Sequence, residues 1–234
     1  MITLRKAQDR GRSRLDWLDS FHTFSFADYQ DVNHMGFSVL RVINDDRVVP
    51  GGGFPTHSHK DMEIITYVLS GSLEHKDSMG NTSIIHPGDT QRMSAGKGVT
   101  HSEYNASDEH PVHFLQIWIL PSEQDIDPSY EQQHVPIEAK QGRLKLIASP
   151  TGERGSVSIH QDAYLYVSVL DKSAELGFAI SSDRKIYVHV AKGAICLNGE
   201  SLCTGYGAKI ENENNLNIRC MDQAEILLFD LPPV

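Results

Sequence analysis

Two short stretches of this 234-residue chain carry side chains at metal-ligand spacing. The first, Gly51 to Glu63, holds His57 and His59; the second, Gly96 to Asn105, holds His101 and Glu103. Each pair is spaced i and i+2, and in extended backbone that spacing turns both side chains to one face. Strands carrying the two pairs side by side would bring three imidazoles and one carboxylate together. Such a donor set suits first-row metals, among them iron, nickel, manganese, copper and zinc. Neither stretch contains a thiol, which argues against a structural zinc ribbon. With 12 histidines in the chain a lone His-x-His would say little. The second pair, beside glycines and after a hairpin-like connection, is what points to a metal site.

Positioning these residues requires strands, and the patterning supplies them. Strands are predicted at Ser38–Asn44, halted by Asp45 and Asp46, then at Glu63–Leu69 and Leu73–Asp77, with Ile84 and Ile85 in another. Turn signals fall at Ser70-Gly71-Ser72, Met79-Gly80-Asn81 and Pro87-Gly88-Asp89. The run His113–Leu120 alternates Phe114, Gln116 and Trp118 against Leu115, Ile117 and Ile119. One of these faces is expected to line the interior near the metal, with Leu115, Ile117 and Trp118 as the wall. Trp17 to Phe26 suits an edge strand or packed loop. His22 and His34 have no partner at ligand spacing and are read as structural. A polar, proline-bearing connection from Pro121 to Gln141 follows, with a short helix predicted around Ser129–Gln133. Strand patterning then resumes at Leu144–Ala148, Val157–Ile159, Ala163–Leu170, Ile186–Val190 and Ala224–Phe229. Short strands between Gly, Pro and Asn turns indicate an all-β sandwich or barrel.

The two halves echo each other: Tyr67-Val-Leu-Ser-Gly71 parallels His189-Val-Ala-Lys-Gly193. Neither ligand pair recurs in the second half. Two tandem units are therefore expected, residues 1–135 with the metal and residues 136–234 without ligands.

The formal charge of −10 disfavours nucleic acid and anionic membrane as partners, because both would be repelled, but leaves a protein partner open. The start, Met1-Ile-Thr-Leu-Arg-Lys, does not read as a signal peptide, and no apolar run has membrane-spanning length. Cys196, Cys203 and Cys220 are odd in number and lack C-x-x-C spacing, the usage of a reducing compartment, so a cytoplasmic location is expected. Gly96-Lys97-Gly98 fails as a phosphate loop, since Gln91 and Gly98 stand where Gly and Ser or Thr belong.

The two histidine stretches resemble the paired motifs of cupins, small double-stranded β-helix barrels. His57-x-His59 with Glu63 resembles the first motif, and Gly98-x-x-His101-x-x-x-Asn105 the second. Seven residues separate Glu63 from Gly71 where the motif usually has six, and Gly96 replaces the usual proline. A displaced Glu63 would point off the metal and leave Glu103 as the carboxylate ligand. Three histidines with a glutamate two residues after the last is the pattern of the pirin family. Thr23-Phe-Ser-Phe26, Leu40-Arg-Val-Ile-Asn-Asp45, Asp77-Ser-Met-Gly80, Met93-Ser-Ala-Gly-Lys-Gly98 and Leu115-Gln-Ile-Trp118 are similar to that family as well.

The resemblance implies a bicupin whose second barrel lacks metal. It implies one divalent metal, iron first, with nickel, manganese, copper, zinc or cobalt as alternatives. It also implies quercetin 2,3-dioxygenase-type activity, the cleavage of a flavonol by O2. His59, Glu63 and Glu103 are the residues expected to share the proton chemistry, with a structural salt bridge to Lys60 or Arg92 as the alternative for Glu63. Two other classes compete: a metal-bound regulatory protein that docks on a protein partner, and another cupin enzyme such as an isomerase.

Overall fold

A computed structural model describes residues 1–233 of the chain. Its N-terminal half contains β1 (Ile2–Arg5), β2 (Gly11–Arg14), β3 (Leu18–His22), β4 (Leu40–Val48), β5 (Gly53–His59) and β6 (Glu63–Ser70). Next come β7 (Leu73–Asp77), β8 (Thr82–Ile85), β9 (Asp89–Ser94), β10 (Val99–Asn105), β11 (Val112–Ile119) and β12 (Ser129–His134). After the one-turn helix α1 (Ile137–Lys140) follow β13 (Lys145–Ser149), β14 (Val157–Ser158), β15 (Tyr164–Leu170) and β16 (Glu175–Ala179). The chain closes with β17 (Lys185–Leu197), β18 (Glu200–Cys203), β19 (Gly207–Ile210) and β20 (Asn215–Leu231). The protein is all-β, as the turn spacing predicts, and consists of two cupin barrels.

In the first barrel a four-stranded sheet, β5-β10-β7-β8, faces a seven-stranded one, β12-β9-β6-β11-β4-β3-β2. The larger sheet has no solvent face across its middle. Its inner side packs Val48, Val68, Val112 and Phe114 inside the barrel. Its outer side joins Ile43, Ile65, Leu115 and Ile117 to Ile147, Leu165, Leu227 and Phe229 of the second barrel in one continuous core. Burial on both faces explains why β6 and β9 are enclosed at nearly every position. Each such aliphatic side chain contributes roughly 1.5–3 kcal/mol relative to exposure. The second barrel is filled with apolar side chains, among them Ile186, Val188, Ile195, Leu202 and Ile226.

Three sequence expectations change. Asp45 and Asp46 do not end β4, because the fold satisfies both: Arg10, Arg47 and His113 bond Asp45, and Ser20 bonds Asp46. The helix expected around Ser129–Gln133 is instead the edge strand β12, paired with β9 from Ser129↔Ser94 to His134↔Asp89. An edge position tolerates its polar sequence, and the helix starts only after Pro136. Lastly, the N-terminal segment crosses over: β1 pairs with β19 of the second barrel, Ile2 opposite Ile210. A division at residue 135 is therefore not a clean cut in space.

Candidate metal centre

Strands β5 and β10 run antiparallel with His57 directly opposite His101, so the two histidine stretches do lie side by side. Past this pair the register shifts and Glu103 faces Phe54, which places an extra residue on β5 around Pro55. A bulge suits proline, which has no N–H to give the ladder. At Gly53 the approach is closer still: a Cβ would stand 2.4 Å from the Glu103 carbonyl oxygen. Only glycine lets β5 close on β10 there.

The ligand atoms of His57, His59 and His101 lie within 4.8 Å of one another. Their ring centroids are 4.5 to 4.9 Å apart. His57 Nδ1 stands 2.8 Å from the Pro55 carbonyl oxygen. Since a carbonyl only accepts, Nδ1 carries the proton and Nε2 presents a lone pair. Burial, then His57, pushes His59 down to about 4. Burial, then His57, His59 and His75, brings His101 down to about 2. Both imidazoles are thus held in the neutral form that ligates metal. His101 Nε2 is buried and has no hydrogen-bond partner. An orphaned nitrogen among converging imidazoles is what a metal would satisfy, so the residues present fit a divalent transition metal.

Glu103 is buried, and its carboxylate groups with His101 and His75 within the same 4.8 Å. Gln116 Nε2 donates to Glu103 Oε2 at 2.7 Å. Thr66 Oγ1 reaches both Glu103 Oε1 at 3.3 Å and Gln116 Oε1 at 3.0 Å, so its one hydroxyl proton serves one at a time. Burial, then the nearby Asp46, raises Glu103 to about 8.

Around these residues opens a cavity of about 560 Å³, lined by His57, His59 and Glu103 and walled by Phe26, Phe54 and Trp118. Asn44, Asp46, His22 and Gln116 add polar groups to the same wall. Trp118 meets the His59 ring edge-on at 5.0 Å and Phe26 at 5.3 Å.

Among the residues expected to line the cavity, Trp118 does. Leu115 and Ile117 do not, because β11 turns them to its outer face, into the core between the barrels. Gln116 takes their place beside Glu103. Glu63 points away from the cluster of His57, His59 and His101, and the catalytic role expected of it does not fit its position. On β6 it has the opposite parity to Thr66, and it bonds Ser94 Oγ at 2.8 Å and His160 Nδ1 at 3.3 Å, facing the second barrel. Neither Lys60 nor Arg92 holds it; these pair with Asp125 and Glu131. His22, read as structural, lines the cavity and bonds Asn44 Oδ1 at 2.8 Å. His34 stays with Asp31 outside it. Sequence reasoning also passed over His75 and Asp77, although their i, i+2 spacing on a short strand repeats the signal of the two ligand pairs.

Known proteins resemble this chain over its whole length. The family described as Pirin matches residues 3–119, and the quercetinase C-terminal cupin domain matches residues 146–231. A protein of Escherichia coli (strain K12) named quercetin 2,3-dioxygenase is 50% identical over 234 residues, covering 100% of both chains. A Pasteurella multocida protein named putative quercetin 2,3-dioxygenase is 45% identical over 99% of this chain and 100% of its own. The crystal structure of YhhW from Escherichia coli superposes with a TM-score of 0.96 at 48% identity, covering 100% of this chain and 99% of that one. The structure of bacterial pirin YhhW in complex with nickel(II) gives 0.95 at 48% identity over 100% of both chains.

Proposed function

This chain belongs to the pirin family, and from that membership and the cavity over His57, His59 and Glu103 we propose that it is a metal-dependent dioxygenase cleaving a flavonol such as quercetin with O2. The cavity carries the reading. Its volume lies within the roughly 300–1,000 Å³ usual for small-molecule sites, and its aromatic wall adjoins the ligand set directly. A flat flavonol presents apolar faces to Phe26, Phe54 and Trp118, and its 3-hydroxyl and 4-carbonyl form a chelating pair. A divalent metal would be held by His57, His59, His101 and Glu103 and would supply Lewis acidity toward that pair and, where it is redox-active, electron transfer toward O2. Iron stands first in this reading; nickel, manganese, copper, zinc or cobalt would suit the same donors.

The remaining chemistry falls to the chain. Gln116 fixes the Glu103 carboxylate through Oε2, and Thr66 can turn its hydroxyl proton from Gln116 to Glu103 when that carboxylate ionises. Asp46, on the cavity wall and raised to about 7 by burial, is suited to accept the proton of the substrate hydroxyl near neutral pH. It takes the role first expected of Glu63. Trp118 and Phe26 shield this end of the cavity from water.

The test follows loss of flavonol absorbance and uptake of O2 by the wild type, Glu103→Gln and His101→Ala at equal metal load. Turnover by the wild type and its loss in both variants is expected. Equal rates in all three, or a wild-type rate matching free metal in buffer, would refute the enzyme.

A further inference from the structure

Strand β7 lies on the other side of β10 from β5, with His75 opposite Glu103 and Asp77 opposite His101. Both β7 side chains are fully buried and 3.1 Å apart, His75 Nε2 to Asp77 Oδ2. His75 is clamped between rings, Tyr130 at 5.0 Å and His101 at 5.3 Å between centroids. Its other nitrogen, Nδ1, stands 3.4 Å from His101 Nδ1.

Between two neutral imidazoles, proton counting leaves one arrangement. Asp77 Oδ1 accepts from Met79 N at 2.9 Å, Asn81 N at 3.0 Å and Asn81 Nδ2 at 3.1 Å, and Oδ2 accepts from Asn81 Nδ2 at 2.9 Å. Surrounded by donors, the carboxylate has only acceptor capacity to offer His75, so His75 Nε2 carries the proton. A neutral His75 then has a lone pair on Nδ1. His101 Nδ1, facing that lone pair, must be the donor. The lone pair of His101 is left on Nε2, the buried nitrogen without a partner.

We propose that Asp77 and His75 form a relay that holds His101 in the tautomer presenting Nε2 to the metal, making both positioning residues for the metal centre. Outer partners of this kind fix ring orientation and basicity, and losing them costs about 10- to 100-fold in metal affinity. The relay rests on the metal reading of the site but not on which reaction the metal serves. Its sequence mark is the third i, i+2 pair, His75-x-Asp77, which turns to the same sheet face as His101 and Glu103.

The Asp77→Asn variant gives a directed test. Three donors claim the Oδ1 position, so the single oxygen of asparagine stays there and its NH2 group turns to His75. His75 Nε2 must then accept, its Nδ1 takes the proton, and His101 is forced to protonate Nε2, the nitrogen the metal needs. The His75→Phe variant keeps a ring against Tyr130 but removes the relay.

Three measurements decide. Dissociation constants for Ni(II), from chelator competition, should weaken about 10- to 100-fold in both variants. Long-range 1H–15N spectra of metal-free protein with 15N-labelled histidine should show His101 protonated on Nδ1 in the wild type and on Nε2 in Asp77→Asn. Near-UV circular dichroism of the metal-free variants should match the wild type. Wild-type affinity in both variants overturns the relay, as does a wild-type His101 protonated on Nε2. Loss of binding in His75→Phe with none in Asp77→Asn also overturns it, by making His75 a ligand. A wild type that binds no Ni(II) overturns the metal reading itself.

Discussion

Asp46 offers a quantitative test of how the site is built, because its replacement should stabilise the protein while harming it as a catalyst. It is only 3% exposed, accepts a hydrogen bond from Ser20, and is raised from 3.8 to about 7 by burial. The folded protein therefore prefers the protonated form. For a carboxyl raised in this way, the stabilising contribution is fully present below the unfolded value near 3.8 and is lost as pH rises through about 7. At 1.36 kcal/mol per unit the full loss is roughly 4 kcal/mol. Asparagine keeps the shape, can still accept from Ser20, and never ionises. Relative to the wild type, Asp46→Asn should gain about 2.5 kcal/mol of stability between pH 5 and pH 8. Glu103 adds in the same direction, since the nearby Asp46 charge is one of the causes of its own raised value. Urea unfolding of chelator-treated protein at the two pH values measures the gap directly. Flavonol turnover in the metal-loaded variant should fall in the same experiment series, the pattern of stability traded against activity. A stability gap that does not change with pH would refute the argument, because a buried ionising carboxyl must produce one.

Other outcomes follow from packing. Gly53→Ala places a Cβ 2.4 Å from the Glu103 carbonyl oxygen and must push β5 off β10, so Ni(II) affinity should drop about tenfold, read by chelator competition. Trp118→Ala removes apolar wall that substrate and transition state share, so KM for a flavonol should rise about tenfold with kcat little changed in steady-state kinetics. Lys140→Met breaks a buried network between the barrels, in which Lys140 Nζ bonds Tyr67 Oη at 2.6 Å and Glu225 Oε1 at 3.2 Å. It should cost about 3 kcal/mol in urea unfolding, because Glu225 loses the buried one of its two lysine partners and keeps only the half-exposed Lys192.

What the sequence determined by itself was the chemistry and its local geometry. An i, i+2 pair on a strand points one way whatever surrounds it, so His57 with His59, and His101 with Glu103, could each be read as a same-face pair before any fold was known. Strand spacing and turn residues sufficed for the all-β class in the same way, because each depends on neighbours in the chain. Which strands are adjacent, and which face of each turns inward, depends on contacts far apart in sequence. The alternation of β11 was legible, but both faces are apolar enough to be buried; only the second barrel, packing on Leu115 and Ile117, leaves Gln116 and Trp118 to the metal side. Glu63 looked available until β6 set it toward His160. His75 and Asp77 carried the same spacing as the ligands, yet what they do depends on β7 lying against β10, a pairing between residues 26 or so apart in the chain. The N-terminal strand crosses to the second barrel for a similar reason: β19 has an edge to fill, and nothing within residues 2–5 names the partner. Side-chain periodicity is local and can be read along the chain, whereas partner choice is settled by the burial that the whole fold achieves at once.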